Sequence, residues 1–168
     1  MVKVGIIGLG LIGASILKAL HQNKKYELYC FSKSSYKKAL EFCKNSSNEI
    51  EIVKNCDIIF VCCELSKTLE TLEKLNNFLD KTTIVVDVAS VKSDLLNKQF
   101  NFNFILSHPM AGTEFCGFDA GKADLFNGAK WLIEKNNDNQ INNSDIKIEN
   151  NILYRQCVDQ KTNQAMFF

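Results

Sequence analysis

The sequence carries almost no net charge, no long apolar run and no paired-cysteine motif, and each absence closes off a class of function. Twenty basic residues against nineteen acidic ones leave a formal charge of +1, interspersed through the first 135 positions. That is not the basic footprint of a nucleic-acid binder. No apolar stretch approaches the roughly 20 residues of a membrane span, and Met1-Val2-Lys3 leads straight into a strand rather than a signal peptide. The seven cysteines are an odd number without C-x-x-C spacing, and Cys56, Cys62 and Cys63 lie in or beside an apolar run. Buried reduced thiols in a cytoplasmic protein are therefore expected, with no case for disulfides or a metal site. Proline is scarcer still: Pro109 stands alone, at the head of one of the two clusters that hold all eight glycines.

A chain of 168 residues, 46% hydrophobic, supports one substantial core and rarely two domains. Val4 to Ile7 is a short apolar run ending at Gly8, after which Ile12, Ile16, Ala19 and Leu20 recur at helical spacing. Leu28 to Phe31 reads as a second strand and Ser34 to Lys44 as a helix. Asp57 to Cys62 is nearly all apolar, as in a strand buried on both faces of a parallel sheet. A helix carrying Leu65, Leu69, Leu72 and Leu75 follows. Then come a strand at Thr83 to Val88, a helix from Ser90 to about Lys98, a strand at Phe104 to Leu106 and a last one at Trp131 to Ile133. This alternation predicts an α/β fold with a doubly wound, mostly parallel sheet of the Rossmann type and helices on both faces. From residue 136 the composition turns asparagine-rich and polar, too poor in apolar surface to fold alone. Beyond it only Ile146 and Ile148 alternate like a strand. The expected division is a dinucleotide-binding domain over 1–134 and a polar tail over 135–168.

Gly8-Leu9-Gly10-Leu11-Ile12-Gly13 matches G-x-G-x-x-G, between a strand and an amphipathic helix. In that setting the glycines allow a tight turn, close backbone approach to a pyrophosphate and tight packing of helix on strand. The helix N-terminus then offers N–H groups to the phosphate. An NAD site places an acid about 20 residues further on, against the ribose 2′-hydroxyl. Here that turn reads Ser32-Lys33-Ser34-Ser35, without Asp or Glu. Ser32 and Lys33 suit a 2′-phosphate, which favours NADP, with NAD as the alternative. Ser34 or Ser35 could equally serve as an N-cap for the next helix.

The second glycine cluster follows the strand at Phe104 to Leu106 and opens with Ser107-His108-Pro109-Met110-Ala111-Gly112-Thr113-Glu114. In an open α/β sheet the residue just past a strand's carboxyl end faces the ligand crevice. A histidine there, with the backbone directed by Pro109 and freed by Gly112, is placed for acid–base work. His21, near the end of the first helix, reads as an ordinary surface or core residue.

With "GIIGLGLIGASI" at 5–16, "DVASVK" at 87–92, "SHPMAGTEFCGF" at 107–118 and "ADLFNGAKWLI" at 123–133, the chain resembles the prephenate/arogenate dehydrogenases of tyrosine biosynthesis. The glycine loop is shared by many dehydrogenases; the HPMAGTE segment after a sheet strand is the specific part. The resemblance covers residues 2 to about 134 and implies NADP-dependent oxidative decarboxylation of a cyclohexadienol, prephenate or arogenate. It implies that His108 accepts a hydrogen bond from the substrate 4-hydroxyl and polarises it. Ser90 would bridge His108, that hydroxyl and the nicotinamide end, although it could also be a helix N-cap. Glu114 would help gate the substrate pocket.

The chain also departs from the family. Where members have a small apolar turn with proline near the cofactor, this one has Cys62-Cys63-Glu64-Leu65, with Cys62 at the cofactor position. Members continue into a helical domain that forms the dimer and supplies an arginine for the substrate carboxylate. Residues 135–168 are too few and too polar for that, and the surroundings of Arg155, the lone arginine, do not match the motif. A homodimer or a partner chain supplying the helical domain is one expectation; a non-catalytic dinucleotide-binding protein is the alternative. A dehydrogenase of a 3-hydroxyacid or imine is disfavoured by the HPMAGTE segment.

Overall fold

Among the described residues up to 133, seven strands and three α-helices follow one another as β1 (Val2–Ile7), α1 (Leu11–His21), β2 (Tyr26–Phe31), α2 (Tyr36–Ala39), β3 (Asn45–Ser47), a 3-10 turn (Ile50–Val53), β4 (Ile58–Val61), α3 (Leu65–Leu75), β5 (Ile84–Asp87), β6 (Asn103–Pro109) and β7 (Trp131–Ile133). The computed structural model describes residues 1–96 and 98–133 throughout and, beyond them, the backbone of 146–149, 152–158 and 165–167. The strand order is β3-β2-β1-β4-β5-β6-β7. All neighbours are parallel except β7, which returns antiparallel along β6. Strand order reverses between β1 and β4, so the crevice at their carboxyl ends is where such a sheet takes its ligand.

Alternate residues of the central strands feed two cores, as the near-continuous apolar runs require. Ile6, Phe60, Val86 and Ile105 pack with α1 on one face. Ile7, Ile59, Val61, Val85 and Leu106 pack with Leu72 and Leu75 of α3 on the other. No helix among the described residues is long and apolar enough to cross a membrane.

Three local expectations are corrected. The helix read over Ser34 to Lys44 is helical only at Tyr36–Ala39, because only Ala39 and Cys43 are fully buried in the core, with Phe42 packed partly against it. Where a helix was read over Ser90 to Lys98, residues 93–96 form turns, closed by Leu95 N–H and Leu96 N–H on the Lys92 carbonyl. Among the described residues of that stretch only Leu95 is buried, while Val91 and Leu96 are exposed, so one anchor is left to oppose the poor helix propensities of Ser93 and Asp94. The strand β3 has no apolar signature; it forms at the sheet edge because its polar side chains find backbone partners. Asn45 Nδ2 donates to the Leu28 carbonyl and Ser46 Oγ to the Tyr36 carbonyl.

Of the polar tail, the tract 136–143 lies outside the described residues. Further on, β8 (Ile146–Glu149), β9 (Ile152–Val158) and β10 (Ala165–Phe167) form a separate antiparallel sheet, more strand than Ile146 and Ile148 alone suggest.

Candidate functional site

The glycine loop is built by backbone meeting backbone. Gly8 has φ +85°, where an L side chain is strained, and a Cβ on it would come within 2.7 Å of the Cys62–Cys63 peptide. A Cβ on Gly13 would overlap the Gly8 carbonyl oxygen. Gly8 N–H donates to the Phe31 carbonyl and Cys62 N–H to the Ile7 carbonyl, tying the ends of β1, β2 and β4 together. In front of Gly10, by contrast, there is open space. Gly10 is the N-cap of α1 and has no side chain to cap it, and no acid stands in the first turn. The positive end of the helix dipole therefore meets an open cradle lined by backbone, which suits a diphosphate.

The residues expected around that cradle behave differently from one another. Leu11 and Ile12 are half-buried. Leu9 is only 3% exposed and belongs to the core, so its side chain is not part of the site and only its backbone faces the loop. Ser32 is buried at the end of β2, and its Oγ accepts the Ser35 N–H at 3.0 Å. Ser35 itself is the N-cap of α2 but makes no side-chain capping bond, and Ser34 is exposed, so the local cap is Ser32 rather than either of them. Lys33 is exposed beside it. Cys62 is half-buried at the switch point, and burial pushes its thiol well above the usual range, leaving it a neutral apolar lining. Of the thiols expected to be buried, Cys56 is buried whereas Cys62 and Cys63 are half-buried; Cys30 and Cys43 are buried too, and Cys116 is exposed.

At the ends of β5 and β6 the site is built by side chains instead. His108 stands in β6, its Nδ1 3.3 Å from the Val88 carbonyl oxygen. An Nδ1–H donated there leaves Nε2 as the acceptor. Directly beneath, Asp87 is fully buried and ion-paired with Lys92. Lys92 Nζ also donates to the Ser107 carbonyl at 2.6 Å, and Ala89 N–H donates to Asp87. Ser107 Oγ donates to the Asp87 carbonyl at 2.7 Å and accepts Trp131 Nε1–H at 2.9 Å. Burial raises the Asp87 carboxyl above its ordinary value, opposed chiefly by the Lys92 hydrogen bond. This network fixes the strand ends that carry His108. Asp87 escaped the sequence reading, although a lone charge ending an all-apolar strand was a usable signal.

Ser90 lies two residues past the carbonyl that His108 meets; it is exposed, and no helix follows it to be capped. Glu114 is exposed in the loop between β6 and β7, where Phe115 N–H donates to Thr113 Oγ1 beside it. The structure thus brings His108 and Ser90 to one edge of the sheet and does not bring Glu114 onto either. Gly112 has neither a positive φ nor a close neighbour, so the freedom expected of it is not used. His21 donates to or accepts from nothing near the site; its Nδ1 lies 2.7 Å from the Phe42 carbonyl.

A glycine-lined cradle at the switch point of a doubly wound parallel sheet defines a dinucleotide-binding domain of the Rossmann class. The family described as prephenate dehydrogenase, nucleotide-binding domain, matches residues 13–154, further along the chain than the quoted motifs reach. The chain belongs to that family. It is 31% identical to the prephenate dehydrogenase of Lactococcus lactis subsp. cremoris over 144 residues, 79% of this chain and 41% of the relative. The structure of Synechocystis arogenate dehydrogenase superposes with a TM-score of 0.71 at 36% identity, over 78% of this chain and 49% of that one. The prephenate dehydrogenase from A. aeolicus, solved in complex with hydroxyphenyl propionate and NAD+, gives 0.70 at 25% identity over 82% and 51%. The chain spans about half the length of these relatives, or less.

Proposed function

We propose that this chain is the cofactor-binding part of a dehydrogenase that oxidatively decarboxylates prephenate or arogenate. The observation that carries the reading is His108 at the carboxyl end of β6, with Nδ1 at the Val88 carbonyl and Nε2 left free as an acceptor. It stands on the same sheet edge as the glycine cradle. In this reading residues 1–134 are the dinucleotide-binding unit, and Gly8, Gly10, Gly13 and the first turn of α1 hold the diphosphate.

When bound, the nicotinamide supplies the hydride acceptor. His108 Nε2 accepts a hydrogen bond from the substrate 4-hydroxyl and stabilises the charge that develops on that oxygen as the C4–H bond breaks. The ring carboxylate leaves as CO2, its bonding electrons entering the ring, and a phenol results. Aromatisation supplies much of the driving force, so the protein's share is mostly orientation. Ser90 adds a hydroxyl at the same edge, and Asp87 with Lys92 keeps the strand ends fixed. Glu114 acts at the substrate entrance.

NADP is the cofactor this reading favours over NAD. The turn after β2 holds no carboxylate to meet a ribose 2′-hydroxyl. Ser32 Oγ accepts the Ser35 N–H, so its own proton is available to a phosphate oxygen, and Lys33 adds an exposed positive charge. A relative solved with NAD+ keeps the alternative in play. Reduction of NADP+ and NAD+ by the purified chain, with prephenate and arogenate each offered, tests the whole reading. Turnover with NADP+ is expected. Intact cofactor binding without turnover would make the chain a dinucleotide-binding protein that needs a partner for catalysis.

A further inference from the structure

The excursion between β6 and β7 is fastened to the dinucleotide helix by contacts that the proposed chemistry does not use. Ser15, fully buried on α1, donates from Oγ to the Leu11 carbonyl at 2.7 Å and accepts the Lys122 N–H at 2.9 Å. One turn along α1, Lys18 Nζ donates to the Gly121 carbonyl at 2.8 Å. Its charge lies 5.2 Å from the ring centre of Phe118 and 5.6 Å from that of Phe42. Gly121 itself approaches so closely that a Cβ there would stand 2.6 Å from the Ala14 Cβ. Lys38 pairs with Asp119 at the rim of the same seam at 2.5 Å. Further on, Phe126 packs against Trp131 at the start of β7.

The excursion is therefore held at 118–122 and again at 126–131. At the near end Met110 N–H donates to the Lys130 carbonyl at 2.8 Å and Ala111 packs partly against the core, but the exposed stretch 112–117 has no comparable support: Phe115 and Cys116 are exposed, and Thr113 bonds to its neighbour Phe115. An unsupported arch between two fixed feet takes its position from those feet. One foot is Met110–Ala111, just past His108; the other is the seam on α1.

We infer that Lys18, assisted by Ser15, is a positioning residue that fixes the far foot of the 112–117 arch on the cofactor helix and so sets the substrate side of the site. The inference rests on the dehydrogenase reading above. A cation is suited to this place because one ammonium serves a carbonyl and two aromatic faces at once. Methionine of similar length would keep the packing and lose all three.

Lys18→Met is expected to raise the KM for the cyclohexadienol substrate about tenfold while the dinucleotide KM stays within twofold. Hydrogen exchange of the 118–122 amides should quicken at least tenfold, and Lys18→Arg should restore both. Ser15→Ala provides a second variant, in which the Lys122 amide exchanges faster with less disturbance of the helix surface. An unchanged substrate KM, or both KM values rising together, would overturn the inference. If the wild-type chain turns over neither acid with either dinucleotide, the dehydrogenase reading fails separately, and exchange alone then decides: unaltered exchange in Lys18→Met would refute the tether.

Discussion

On the β1–β4 side of the ligand edge the site is closed by backbone, with Gly8 against the Cys62–Cys63 peptide and Gly13 against the Gly8 carbonyl. On the β5–β6 side Asp87, Lys92, Ser107 and Trp131 join the strand ends through side chains. The first arrangement sets six consecutive residues, 8–13, against one peptide at the end of β4 and leaves no room for a methyl group at Gly8 or Gly13. The second gathers residues from 87 to 131 and stands or falls with a buried charge pair. A site for an invariant diphosphate is thus written locally, whereas the part that would touch a particular substrate is assembled at long range.

The contrast can be broken first at the reacting end. His108→Asn should lower turnover about a thousandfold, within the usual range for losing a general base, while dinucleotide affinity by calorimetry moves less than twofold. Loss of dinucleotide binding instead would give His108 a structural role and erase the division between the two sides. Next, Gly13→Ala should weaken dinucleotide binding about a hundredfold, since the added Cβ meets a backbone oxygen that cannot swing aside. Retained affinity would show the loop to be more yielding than its contacts imply.

The side-chain network should answer in stability rather than in affinity. Lys92→Met leaves the Asp87 carboxylate buried without its partner, and chemical denaturation should register a loss of about 3 kcal/mol, the lower end for a broken buried pair because Lys92 is partly solvated. Asp87 also carries a pH signature. Its folded pKa is raised, so the folded state holds that proton more tightly than the unfolded chain does. Its contribution to stability is most favourable below the ordinary carboxylate pKa and falls as the pH rises through the interval up to the folded value. Asp87→Asn should flatten the stability profile across that interval, and an unchanged slope would assign it to another group. The smallest effect is expected at the cofactor's far end: Lys33→Ala should weaken NADP+ about fivefold and leave NAD+ unaltered, as for one exposed phosphate contact.

These differences also explain what could be read in the chain. The alternation of apolar strands with helices, the two-faced sheet and the cradle were legible because apolar period and glycine spacing are local signals. The helix read at Ser90 to Lys98 was not borne out, since among its described residues only Leu95 finds the core. Leu9 was carried into the site by its motif position, but its side chain turns inward. The edge strand at Asn45 had no apolar pattern to reveal it, its polar side chains being satisfied by partners that only the fold supplies.

By itself the sequence determined the α/β alternation, the glycine loop at the first turn and the placing of His108 near the carboxyl end of the strand that begins at Asn103, although pairing with β7 carries β6 on through His108 to Pro109 rather than ending it at Leu106. Each depends on a few adjacent residues and on backbone geometry that those residues dictate. The tertiary structure decided which side chains share the ligand edge. It paired Asp87 with Lys92 beneath His108, left Glu114 exposed and laid residues 118–122 on α1 beside Ser15 and Lys18. Such contacts join positions as far as 107 residues apart. Their energies come from burial and from partners that exist only once the sheet has formed.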